Sequence, residues 1–256
     1  MRATTRITNV HRGAIARLMT QLGGACAKLA DEKVRGLSSQ RIECDEIWSY
    51  VGKKQRHRTS DDNPAEAGDF WTWVALDADN KLVASYRVGK RTGDDARAFM
   101  ADLASRVSSR IQISTDGLSS YVDAVEHGFG GDVDYAMIVK EYEAEPVGAG
   151  RYSPPKVVAT EKTIISGKPD TSKISTSYVE RQNLTMRMCM RRFTRLTNAF
   201  SKKVEMLRAA VAMHFANYNF CRLHQTLRCT PAMASGVDDR KWSIGDLLDY
   251  SGVVSG

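Results

Sequence analysis

Apolar side chains recur at Ile15, Leu18, Met19 and Leu22, the spacing of a helix with one buried stripe. The helical pattern runs from Val10 to Leu37, and Gly23-Gly24 is its expected interruption. The β-branched and aromatic run Arg41–Val51 predicts a strand with Asp45 at its middle. The polar stretch Gly52–Asp69 predicts a long loop. Phe70–Leu76 and Lys81–Val88, joined by the turn-like Asp77-Ala78-Asp79-Asn80, predict an antiparallel hairpin. Ala98, Phe99, Leu103 and Val107 line one face of a helix over Asp94–Val107, and Ile111–Thr115 is a short strand that Asp116-Gly117 ends. A helix over Leu118–Glu126 and a fifth strand over Tyr135–Val139 follow, then helices over Tyr178–Arg195 and Lys202–Phe220.

Three strands in antiparallel succession followed by alternating helix and strand imply an α/β fold, a mixed five-stranded sheet flanked by helices. Glu141–Thr176, with Pro154-Pro155, Gly167 and Pro169, is poorest in recognisable elements and is expected to be an insertion. Arg6–Arg12 is expected to close one helix, turn and enter a second, a partial helix-turn-helix. The expected division is a DNA-binding segment at 1–39, a catalytic domain at 40–200 with its insertion at 141–176, and a helical extension at 201–256.

A chain of 256 residues with 42% hydrophobic content is long enough to bury one sizeable core. The formal charge of +7 favours an anionic partner, and its distribution sharpens the point. Residues 1–39 carry seven basic side chains against two acids, net +5, and residues 178–208 carry eight against two, net +6. Arg12 and Arg17 could read DNA, touch its backbone or simply pack. Five cysteines without CxxC pairing suggest neither a structural zinc site nor a disulfide scaffold. With no signal-peptide pattern and no run approaching 18 apolar residues, the cytoplasm is the expected compartment.

Asp45 places a charge within a strand, which is costly unless it is paired, hydrogen-bonded or metal-bound; an edge strand facing water would account for it equally. Asp116 ends a strand where ligand sites form in open sheets, although Asp-Gly is also common turn punctuation. Glu180 fits a capping box with Ser177, a role that competes with metal binding. Asn183 and Arg187 fall on the same helical face as Glu180, and Arg181, Arg191, Arg192 and Arg195 add charge; a solvated charged face is the alternative. Together the three acids could supply hard oxygen ligands to Mg²⁺ or Mn²⁺.

Three motifs tie these acids together: Cys44-Asp45-Glu46-Ile47-Trp48-Ser49-Tyr50-Val51-Gly52, Thr115-Asp116-Gly117 with Tyr121, and Ser177-Tyr178-Val179-Glu180-Arg181-Gln182-Asn183-Leu184-Thr185-Met186-Arg187. They resemble the catalytic region of IS1-family transposases, and the likeness runs from about Thr5 to Met233, including Asn217–Arg228 and Thr230-Pro231-Ala232. The resemblance implies an RNase H-like core whose Asp-Asp-Glu triad falls on Asp45, Asp116 and Glu180, with the family's basic residue on Arg187. It implies two divalent ions, double-stranded DNA with terminal inverted repeats and target DNA as partners, and a homo-oligomer assembled on DNA. DNA contacts are expected from Arg12, Arg17, Arg181, Arg187 and Arg191. The family commonly carries a zinc-finger-like cysteine cluster ahead of the turn, and none stands here. That leaves a truncated gene, a two-protein arrangement or a descendant that no longer transposes. An RNase H-like nuclease without strand transfer, or a catalytically inactive DNA-binding protein, are the competing functions.

Overall fold

The computed structural model describes residues 2–143, 156–194 and 198–252. Helix α1 (Arg2–Thr8) turns through Asn9, whose φ of 55° suits a residue tolerant of the left-handed region, into α2 (Arg12–Lys33). The predicted break at Gly23-Gly24 does not occur. A Cβ on Gly23 would lie 2.4 Å from Ala209 Cβ, so glycine is there for close helix packing and not for a turn.

Strands β1 (Arg41–Val51), β2 (Gly68–Asp77) and β3 (Val83–Gly89) form the antiparallel meander. Helix α3 (Gly93–Ala104) leads to β4 (Ile111–Asp116), and α4 (Ser120–Phe129) leads to β5 (Val133–Glu143). Both strands lie parallel to β1, because each is reached by a helical crossover. A sixth strand, β6 (Lys156–Ser166), pairs antiparallel with β5 and gives the order β3-β2-β1-β4-β5-β6. The expected five-stranded sheet is therefore one strand short, and much of the stretch read as poor in elements is a hairpin arm. Its residues 144–155 lie outside the described residues. Val157, Val158, Ile164 and Ile165 of β6 are all exposed, so no alternation of buried and polar positions marks the strand.

Helix α5 (Ser177–Cys189) and a 3₁₀ turn (Arg191–Phe193) precede α6 (Val204–Ala216), a π turn (Asn217–Cys221), α7 (Pro231–Ala234) and α8 (Ile244–Ser251). Helix α5 ends six residues before the predicted Arg195, which lies outside the described residues. Arg192 turns inward to the Ser201 hydroxyl and the Met206 carbonyl and serves packing.

Successive residues of a strand point to opposite faces, and β1 divides the core accordingly. Ile42 and Cys44 join Phe99 and Leu103 of α3 and Tyr121 and Val125 of α4. Ile47 and Val51 join Val179 and Met186 of α5 and Leu207 and Val211 of α6. A mixed sheet in this order, covered on both faces and preceded by helices, is an RNase H-like fold. No helix among the described residues is long and apolar enough to cross a membrane.

Candidate active site

The pairing of β1 with β4 stops at Cys44 opposite Thr115, while β1 continues beside β2 to Val51. The two parallel strands fork there, and the next residues, Asp45, Glu46 and Asp116, stand at the opening. Carboxylate oxygens of these three lie within 4.8 Å of one another. Asp45 extends toward α5, where Asn183 Nδ2 donates to its Oδ2 at 2.8 Å. Glu46 extends toward α4 and accepts from the Tyr121 hydroxyl at 3.1 Å. Asp116 sits between the two faces at the end of its strand.

A cleft of about 740 Å³ opens over the fork, with Asp45, Glu46, Arg91, Asp116, Glu180 and Arg187 in its wall. Glu180 lies outside the tight oxygen cluster. Its carboxylate pairs with Lys140 of β5 and accepts from the Thr176 hydroxyl. Arg12 and Arg17 are exposed at the start of α2, and Arg181 and Arg191 are exposed on and just beyond α5; none of the four lines the cleft.

The predicted capping box does not form. Thr176, not Ser177, is the N-cap of α5, and its backbone amides are satisfied differently. The amides of Tyr178 and Val179 donate to Glu43 Oε2 at 2.7 and 3.0 Å, and that of Ser177 donates to the Ser175 hydroxyl. Glu43 is buried on β1, two residues before Asp45 and on the same side of the sheet. A buried acid from another element thus caps the helix and places a negative charge at its positive end, leaving Glu180 to face the cleft. The partners are 135 and 136 residues apart, which is why no local motif announces them.

The electrostatics suit a divalent cation. Burial, reinforced by Glu46 and Asp116, pushes the Asp45 carboxyl up to about 7. Burial also raises Asp116, with Glu180 adding to it against the pull of the Leu118 amide and Arg91. Burial raises Glu46 too, helped by Asp116 and opposed by Arg91 and Tyr121. Asn183 Oδ1 is buried beside Asp45 without a hydrogen-bond partner among the described residues. Crowded, desolvated oxygen donors with an orphan acceptor beside them fit a hard divalent cation, so this acidic cluster could coordinate one. Glu46 was missed in the sequence because adjacent strand residues point apart; only the fork brings both side chains to Asp116.

An acidic centre at the carboxyl end of the central strands of an RNase H-like sheet is the architecture of the DDE-superfamily nuclease and transposase fold, with a cluster that could hold a divalent metal. Two comparisons refine this. The family model described as IS1 transposase matches residues 155–221, which include Glu180 and Arg187. The insertion element iso-IS1n protein InsB of Shigella dysenteriae is 25% identical over 178 residues, covering 70% of this chain and 95% of that protein. Both matches support assignment of the chain to the IS1-family DDE transposases.

Proposed function

We propose that the protein is a DNA transposase that cuts DNA at insertion-sequence ends and joins the freed 3′ ends to target DNA. The observation that carries the proposal is the convergence of Asp45, Asp116 and Glu180, from β1, β4 and α5, on one cleft whose wall also holds Arg91, Lys140 and Arg187. Asp45, Asp116 and Glu180 would hold two Mg²⁺ or Mn²⁺ ions. When bound, such ions activate the attacking oxygen and stabilise the departing one.

The chain's own groups prepare that chemistry. Asn183 fixes the direction of Asp45 through its hydrogen bond, and the Leu118 amide fixes that of Asp116 by donating to Oδ1 at 3.2 Å. Glu43 holds the start of α5 against β1, so the third acid keeps its place relative to the first. Arg187, two helical turns or about 10.5 Å beyond Glu180, reaches the same cleft and grips a phosphate beside the cut. Arg12, Arg17, Arg181 and Arg191 contact flanking DNA phosphates, and copies of the chain assemble on the terminal repeats in the cytoplasm.

The test uses purified protein, labelled end DNA and Mg²⁺. Asp45→Asn, Asp116→Asn and Glu180→Gln should each abolish nicking while duplex binding persists. Cleavage at wild-type rate by any one of them removes that acid from the set. Cleavage without joining would reduce the activity to that of an RNase H-like nuclease, and binding without cleavage to that of a DNA-binding protein.

A further inference from the structure

Arg91 lies in the connection between β3 and α3, and its closest acidic partner is Glu46, outside the proposed triad. Its Nε donates to Glu46 Oε1 at 2.7 Å, and Nη2 stands 2.6 Å from the same oxygen and 3.9 Å from Asp116 Oδ2. The guanidinium lies 4.8 Å from the centre of the Trp71 ring, within cation–π range. Its side chain is still 41% exposed and forms part of the cleft wall.

Glu46 is the reverse case. Its side chain is 1% exposed, Oε1 is taken by Arg91, and Oε2 accepts from Tyr121. A carboxylate this deeply buried and already paired with a guanidinium is poorly placed to coordinate a second cation, whereas one so fixed is well placed to aim that guanidinium. A guanidinium has five N–H donors, and holding one edge on Glu46 leaves others for a second anion.

We propose that Arg91 is a phosphate-binding residue of the cleft, aimed by Glu46 and Trp71, and that Glu46 anchors this arginine and is not a metal ligand. The inference rests on the DNA-cleaving function proposed above and adds a second guanidinium, on the wall formed by β1 and the β3–α3 connection, opposite in origin to Arg187 on α5. Without DNA, Arg91 offsets part of the charge of the acidic fork; with DNA, its remaining donors meet a phosphate adjacent to the cut.

Two measurements separate this from a structural role: Mn²⁺ binding to DNA-free protein by calorimetry, and single-turnover cleavage of pre-nicked end DNA. Arg91→Ala should leave Mn²⁺ affinity within about 3-fold of wild type, or tighter, and slow cleavage by about 100-fold, the usual loss for one preorganised donor. Arg91→Lys should fall between, because lysine keeps the charge without the fork. Glu46→Gln should keep Mn²⁺ affinity and slow cleavage by about 10-fold, through weaker DNA engagement. If Arg91→Ala unfolds by stranding the Glu46 carboxylate, the double variant Arg91→Ala/Glu46→Gln carries the same test. Cleavage by Arg91→Ala within about 3-fold of wild type overturns the inference, as does a 10-fold or greater loss of Mn²⁺ affinity in Glu46→Gln. Wild-type protein that cleaves no end DNA overturns the function beneath it, a separate result.

Discussion

Asp45→Asn should stabilise the metal-free protein, although it destroys the proposed activity. The Asp45 carboxyl is raised from 3.8 to about 7 by burial and by Glu46 and Asp116, so its ionised form is disfavoured in the folded state. The folded chain therefore holds this proton more tightly than the unfolded chain. The cost of ionisation is absent below about pH 4, grows between pH 4 and 7, and is complete above. At 1.36 kcal/mol per pH unit the ceiling is about 4 kcal/mol, and water entering the cleft reduces the expected gain to about 1–3 kcal/mol. The hydrogen bonds survive the change: Glu46 N can still donate to the new side-chain oxygen, and Asn183 can rotate its amide to present the now unpartnered Oδ1 to the new NH₂ group. For a domain of this size each kcal/mol moves the unfolding midpoint by roughly 2–4 °C. Thermal unfolding in chelator should show Asp45→Asn above wild type at pH 8, with the gap closing by pH 4. Adding Mg²⁺ should raise the wild-type midpoint and leave that of the variant unchanged. Equal midpoints at pH 8, or a gap as large at pH 4 as at pH 8, would refute the cost of ionising Asp45 in this buried, acidic fork.

Glu43→Ala should cost about 1–3 kcal/mol of stability, since one buried and one part-buried amide of α5 lose their acceptor, and should slow cleavage through misplacement of Glu180; Glu43→Gln, which keeps an acceptor, should recover most of both in unfolding and cleavage assays. Gly23→Ala should destabilise by about 1–3 kcal/mol despite better helix propensity, because its Cβ meets Ala209, whereas Gly24→Ala, with nothing within 4 Å, should stabilise by about 0.5–1 kcal/mol; denaturant midpoints of the two variants decide it. Arg12→Ala with Arg17→Ala should weaken end-DNA binding and flatten its salt dependence, and an unchanged mobility-shift series would assign these turns to packing.

The sequence foretold most of what its short-range pattern controls. The five strands and the helices between them came within a few residues, because period-2 and period-3.6 burial imprint directly on side-chain choice. Asp45 and Asp116 were visible as charges where a strand should bury or end. The failures share a cause in long-range geometry. Glu43 caps α5 from across the fold, Glu46 comes beside Asp116 only where β1 and β4 diverge, and Arg91 reaches Glu46 from the connection after β3. Gly23-Gly24 looked like a break because a glycine's need for close packing and its capacity for turning leave the same letter. Strand β6 escaped because its apolar side chains are exposed and alternate with nothing.

The tight seating of Gly23 on Ala209 turns α2 into a cantilever. A helix of 22 residues is about 33 Å long, and its buried residues Gly23, Cys26 and Leu29 all fall in the carboxyl-terminal half, so the turns carrying Arg12 and Arg17 extend from a clamped base. Whatever those turns hold is kept at a set offset from the forked strands, with no pliable tether to lengthen or shorten. One residue inserted ahead of Gly23 would swing the basic turns by about 100° and advance them by only about 1.5 Å. On the proposed function, phase around the helix axis, far more than reach along it, would then decide which phosphodiester bond comes to rest over the acids.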